Sequence, residues 1–280
     1  MLAVVAPGQG SQTPGFLAPW LEVAGNRERI MAWSSLIDLD LTRLGTSADA
    51  DEIRDTSNAQ PLLLCGALAG ATALLGNEKS SLSYVSGHSV GELAAAALSG
   101  VLSDSDAIRL VALRGREMAK AGAGSNTGMS AVLGGERDVV IAALKNLGLT
   151  PANENGGGQI VAAGDLSALT ALAENPPAGA RVRPLAVAAA FHTQTMAPAI
   201  TPLAELARSL HAHEPTIAVI SNKDGEVVDS GREILDRIVG QVAGPVRWDL
   251  CMATMSRLGV TGVLELPPAG TLVGLIKRAT

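Results

Sequence analysis

The chain has 280 residues, enough for one large domain or two unequal ones with a substantial core. Hydrophobic residues make up 47% and aromatics only 2%, so Ala, Val and Leu must fill the core and few rings are left to stack on bases. With 21 basic against 27 acidic side chains, a formal charge of −6 and no long basic run, the composition excludes nucleic acid and anionic membranes as partners, and an anionic substrate needs a local basic site.

In chain order, residues 2–6 read as a buried strand; they lack a basic leader and run straight into Pro7-Gly8, which is not the pattern of a signal peptide. The loop after it contains Gly8, Gln9 and Gly10, but G-x-G-x-x-G fails at Thr13, so a dinucleotide loop is not expected. Asp49, Asp51 and Glu52 read as a solvated helix start. Residues 61–75 form an apolar helix, and no stretch reads as a membrane span. A short strand at 82–85 precedes Gly87-His88-Ser89-Val90-Gly91, and a helix-forming run follows at 92–98. A second helix covers 104–121, capped by Ser103 or Asp104. After a Gly-rich junction come strand 129–133, helix 137–147, strand 159–163, helix 166–173 and strand 181–187, with Gly156-Gly157-Gly158 as a flexible turn. That is a compact inserted α+β unit. Longer helices return from Phe191, with strands at 216–221 and 259–266. The alternation predicts an α/β fold with a parallel sheet. Cys65 and Cys251 sit in apolar runs without metal-ligand spacing and read as reduced, buried thiols.

The five residues 87–91 match G-x-S-x-G between a strand and a helix, the context of a nucleophile elbow. Its glycines are expected to supply positive φ and close backbone approach. Ser89 at a helix N-terminus would face N–H groups suited to a developing anion. A serine needs a base. Of four histidines, His88 is too near in sequence for base geometry, and His211 and His213 read as a solvated helix end. His192 is the candidate, either as base or as a structural histidine, with a backbone carbonyl able to orient it. Gln9, in the loop after the first strand, is a plausible oxyanion donor. Among Arg109, Arg114 and Arg116, one pointing inward could bind a carboxylate bidentately; otherwise all three are surface arginines.

Together with PGQGSQ at 7–12, DTSNAQP at 55–61, GMSAVLGG at 128–135, ANENGGGQIVAAG at 152–164, AFHT at 190–193, SNKDG at 221–225 and QVAGPVRW at 241–248, these pieces resemble the malonyl-CoA:acyl carrier protein transacylases over almost the whole chain, in the same order, with an actinobacterial texture. The resemblance implies an α/β-hydrolase-like large subdomain at 1–123 and 192–280, with a parallel sheet, and a ferredoxin-like small subdomain at 124–191. It implies a ping-pong transfer of malonyl from malonyl-CoA to the phosphopantetheine thiol of acyl carrier protein, for fatty-acid or polyketide synthesis, with no bound cofactor or metal. Ser89 matches the nucleophile and His192 its base. Gln9 and the Val90 N–H match the oxyanion hole, and Arg114 matches the residue that holds the malonyl carboxylate. Gln60, Phe191, His88 and Asn155 complete the implied substrate-binding set, Phe191 disfavouring a 2-methyl substituent. The resemblance further implies that the histidine is held mainly by a backbone carbonyl of the 241–248 segment, where Gly244 stands in place of the Asn of many relatives. A serine hydrolase or thioesterase of related fold is the competing class. A cytoplasmic, monomeric, discrete enzyme is expected.

Overall fold

A computed structural model describes residues 1–76 and 81–279. The strand β1 (Leu2–Ala6) is followed by α1 (Ala18–Leu21), α2 (Asn26–Ile37), α3 (Leu41–Thr46) and α4 (Thr56–Leu75). Then come β2 (Leu82–Gly87), α5 (Gly91–Leu98) and α6 (Asp104–Gly122). The middle of the chain forms β3 (Thr127–Gly134), α7 (Arg137–Asn146), β4 (Thr150–Gly156), β5 (Gln159–Asp165), α8 (Leu166–Glu174) and β6 (Ala180–Pro184). The last third forms α9 (Ile200–Ser209), β7 (Ala218–Ile220), β8 (Val227–Val228), α10 (Gly231–Gln241), β9 (Val246–Arg247), α11 (Trp248–Arg257), β10 (Gly262–Glu265) and α12 (Thr271–Ala279).

The first sheet has the order β10-β1-β2-β7-β8, parallel except for the β7–β8 hairpin. Strand residues alternate between its faces. Val4 and Ala6 join the core made with α4, α5 and α6, while Ala3 and Val5 join a second cluster with Trp248, Cys251, Leu272 and Leu275 of α11 and α12. Both faces are therefore covered, as a parallel sheet requires. Helix α4 starts where Asp55 accepts the Ser57 N–H at 2.8 Å, and it carries Pro61 inside. By length and hydropathy alone it would be long and apolar enough to cross a membrane, whereas no stretch was expected to read as a span; here it is mostly buried as the central core helix. The cysteines are buried and unbridged, and burial pushes both thiols up.

The second sheet has the order β6-β3-β5-β4-β9. The sequence of β3, α7, β4, β5, α8 and β6 is the split βαβ arrangement of a ferredoxin-like unit. Strand β9 adds to its edge, parallel to β4, with Val246 opposite Asn153 and Arg247 opposite Glu154. The sequence analysis lacked β4, because Asn153, Glu154 and Asn155 do not read as a strand. They are nevertheless buried. Glu154 is paired with Arg137 at 2.6 Å and Arg247 at 3.4 Å, and the two asparagines face the cavity described below. The three glycines at 156–158 do form the β4–β5 turn. The strand expected at 181–187 ends at Pro184, and the chain runs irregularly from there to Phe191. The acidic 49–52 stretch starts a short 3-10 turn, with Asp49 accepting the Asp51 and Glu52 N–H groups.

Candidate active site

Three neighbouring parallel strands deliver the site from their carboxyl ends, where open α/β sheets bind ligands. β1 leads to Gln9, β2 to Ser89 and β7 to Asn222. At the end of β2 the chain turns sharply into α5, leaving Ser89 at φ 54°. A left-handed serine costs about 1–2 kcal/mol, so the surroundings must enforce it. The glycines play a different part from the one expected: neither Gly87 nor Gly91 has positive φ. Their lack of a Cβ is what counts. A Cβ on Gly87 would lie 2.0 Å from the Gly91 carbonyl carbon, and one on Gly91 would lie 2.2 Å from the Ala6 oxygen. The Ser89 N–H donates to Asn222 Oδ1 at 2.8 Å. The Val90 N–H, at the start of α5, has no internal acceptor among the described residues.

His192 also has a left-handed backbone, φ 60°. Its Nε2 lies 2.8 Å from Ser89 Oγ, and its Nδ1–H donates to the Gln241 carbonyl oxygen at 2.8 Å. Among the described residues no acid orients the ring; a carbonyl at the end of α10 does, with the Gly244 backbone contributing less. Burial first, and the Arg114 charge second, push the imidazole from 6.5 down to about 3. The ring is therefore neutral at pH 7, with Nε2 free to accept the Ser89 hydroxyl proton.

Helix α6 decides among the three arginines. Arg114 falls on the stripe of Ala107, Leu110, Val111 and Met118, the side of the helix turned into the core, and is 1% exposed. Arg109 is exposed and pairs with Asp106 at 3.7 Å, and Arg116 is exposed. Arg114 Nη1 donates to Gln60 Oε1 at 2.7 Å, and Nη2 donates to Gln241 Oε1 at 2.9 Å and to Ser89 Oγ at 3.4 Å. Its Nε–H is buried without a partner, and it makes no ion pair among the described residues. Burial pushes the guanidinium down to about 10, with Glu92 partly restoring it. A full positive charge thus sits in the interior, held by neutral amide oxygens beside the serine.

These groups adjoin a cavity of about 480 Å³ between the two sheets. Ser89, His192, Gln9, Gln60, His88, Asn155 and Phe191 all line it, while Arg114 stands behind Gln60 and Ser89. Gln9 Nε2 donates to Thr56 Oγ1 at 3.2 Å. His88 Nε2–H donates to Asn155 Oδ1 at 2.9 Å, tying the elbow to β4. The sequence analysis did not single out Glu92, Asn222 or the side chain of Gln241, all buried and mutually hydrogen-bonded. Their one local signal is a polar residue set in an apolar run, which does not name a partner. Among the described residues no group of three or more His, Cys, Asp or Glu is placed to hold a metal.

An acyl transferase domain family model matches residues 4–279. The malonyl CoA-acyl carrier protein transacylase of Mycobacterium tuberculosis (strain ATCC 25618 / H37Rv) is 52% identical, over 99% of this chain and 93% of the relative. The crystal structure of MCAT from Mycobacterium tuberculosis superposes with a TM-score of 0.96 at 52% identity, covering 100% of this chain and 93% of that one. A malonyl-transacylase in complex with its type II PKS acyl-carrier protein superposes with a TM-score of 0.92 at 31% identity, covering 100% and 93%.

Proposed function

The chain belongs to the acyl transferase domain family, and from that premise we propose that it transfers the malonyl group of malonyl-CoA to the phosphopantetheine thiol of acyl carrier protein. The observation that carries this reading is Arg114: a buried guanidinium with no carboxylate partner among the described residues, its Nε–H unused and its Nη2 3.4 Å from the serine oxygen. A carboxylate two carbons from a thioester carbonyl suits that spacing and supplies the missing charge. Gln60, in front of Nη1, is the neutral acceptor it would displace.

The chemistry is a double displacement. His192 Nε2 takes the Ser89 proton as Oγ attacks the thioester carbonyl. The tetrahedral oxyanion is held by the Val90 N–H and by Gln9, worth about 3–4 kcal/mol. CoA leaves as the thiol, taking the proton from His192, and a malonyl-Ser89 ester remains. The carrier protein's thiol then gives its proton to His192 and attacks the ester, and Ser89 recovers the proton as the new thioester departs. Binding the malonyl carboxylate on Arg114 offsets the charge that weakens His192, so the correct acyl group also raises the basicity of its own catalyst. Phe191 on the cavity wall leaves little room for a 2-methyl group, a selection of about 1–3 kcal/mol. No bound cofactor enters any step. The reading places the enzyme in the cytoplasm as a monomer, with the small subdomain at 124–191 closing the cavity.

The test is intact-mass analysis after exposure to malonyl-, methylmalonyl- and acetyl-CoA, followed by carrier protein. One malonyl increment should form and pass to the carrier thiol faster than it is hydrolysed. Hydrolysis outrunning transfer would establish the serine hydrolase instead.

The depressed His192 fixes a pH expectation. The acidic limb of kcat/KM for acetyl-CoA, a donor with no carboxylate for the arginine, reports the free enzyme and should lie below about pH 5. A limb centred near 6.5 would show an imidazole in contact with water. The linkage has the same origin. Between 6.5 and about 3 the unfolded chain binds a proton that the folded ring refuses, so the His192 contribution to stability falls as pH drops through that window.

For a chain of net charge −6, an acidic carrier needs a local landing site. Exposed Arg181 and Arg183 on edge strand β6 lead to Leu185 at the cavity wall, and exposed Arg278 of α12 lines the same opening; none makes an ion pair among the described residues. KM for the carrier should rise several-fold with added salt, and reversing Arg181 and Arg183 to Glu should remove most of that dependence. A salt-independent KM would place the docking surface elsewhere.

A further inference from the structure

Glu92 stands in the first turn of α5, where a carboxylate usually serves its own helix. Here it serves two other elements. One oxygen accepts the Asn222 backbone N–H at 2.5 Å and the other accepts Gln241 Nε2 at 2.6 Å. The same Gln241 amide turns its oxygen to Arg114 Nη2, and its backbone carbonyl holds His192 Nδ1. Asn222 Oδ1, receiving the Ser89 N–H and Gln241 Nε2, closes the array. Glu92 therefore determines which end of the Gln241 amide meets the arginine. With a carboxylate behind it, only the N–H end can face Glu92 and only the oxygen can face Arg114.

We propose that Glu92 is a positioning residue for malonyl recognition, acting through the Gln241 amide on Arg114. The proposal rests on Arg114 receiving the malonyl carboxylate. Its physical sense lies in where the negative charge is placed. A carboxylate in direct contact would neutralise Arg114 and occupy its donors, and the substrate would have to displace it. Set one amide away, Glu92 offsets the cost of burying the cation, while Nε–H and one Nη1 hydrogen stay free for the acyl group. Burial pushes the carboxyl up to about 7, and the two N–H donors on its oxygens favour the ionised form.

The experiment is Glu92→Gln, isosteric but uncharged, with malonyl-CoA and acetyl-CoA compared as acyl donors. A Gln at 92 lets its own oxygen face Asn222, so its NH2 meets Gln241 and turns that amide's N–H towards Arg114. KM for malonyl-CoA should rise about tenfold, with KM and kcat for acetyl-CoA within about twofold of wild type. Equal losses with both donors would mean a purely structural role and would overturn the proposal, as would an unchanged malonyl KM. Glu92→Asp keeps the charge but shortens its reach to Gln241, and should give a smaller loss confined to malonyl-CoA; it decides the matter if Glu92→Gln does not fold. Arg114→Ala separates the two levels. If it leaves malonyl preference intact, the underlying reading fails. If it removes the preference while both Glu92 variants keep it, only the role of Glu92 fails.

Discussion

Ser89→Ala is expected to give no malonyl-enzyme at all, and transfer to carrier protein should fall by roughly 10⁴-fold or more. The loss follows from the double displacement: without Oγ there is no ester, and a direct meeting of the CoA thioester and the carrier thiol in one cavity of about 480 Å³ is not what the site is shaped for. The substitution keeps the groups that build the elbow. The residue 89 N–H can still donate to Asn222 Oδ1, and Gly87 and Gly91 still allow the close approach of β1. His192 Nε2 loses the Oγ at 2.8 Å, its one hydrogen-bond partner among the described residues, which water can replace. A near-normal melting temperature with no mass increment is the expected pair of results. A malonyl increment surviving in Ser89→Ala would mean that another nucleophile carries the acyl group.

Arg114→Ala should shift malonyl-over-acetyl preference by about 2–4 kcal/mol, roughly 30- to 1000-fold in kcat/KM, almost all of it as loss with malonyl-CoA. The figure is that of a charge-assisted pair in a site closed to water; an exposed arginine would be worth far less. The side chain is 1% exposed and its hydrogen-bond partners are neutral, so its removal leaves no carboxylate without a hydrogen-bond donor; Glu92 loses the nearby charge and shifts further towards its protonated form. Acetyl transfer should hold or improve, because the charge that depresses His192 is gone. Arg114→Lys keeps the charge but not the planar fork and should fall between the two. Unchanged discrimination in Arg114→Ala would reject the assignment and leave the serine and histidine as the machinery of some other acyl transfer.

How much of this was legible beforehand depended on the range of the interaction. The strand-turn-helix around Ser89 was readable because its requirements lie within five residues. The inward position of Arg114 was readable in principle, since the apolar stripe of α6 includes it, yet three arginines on one helix left the choice open until the family resemblance singled it out. Strand β4 was not readable, because its buried positions carry Asn153, Glu154 and Asn155, and polar residues become strand interior only where a second subdomain supplies partners. The positive φ was assigned to the wrong residues: it sits on Ser89 and His192, forced there by packing, while the elbow glycines serve clearance.

The sequence by itself determined the local elements, the alternation that makes a doubly covered parallel sheet, and the strand-turn-helix that carries Ser89, since helix caps, apolar periodicity and a tight turn act over a few residues. Only the tertiary structure decided what surrounds that serine. Ser89 meets His192 across 103 residues, Asn222 across 133, and Glu92 meets Gln241 across 149. Each of these is a buried polar group whose desolvation is tolerable only with its partner in place. No local pattern announces such a pairing; it exists once the sheets have brought the strand ends together and shut out the water that would otherwise compete.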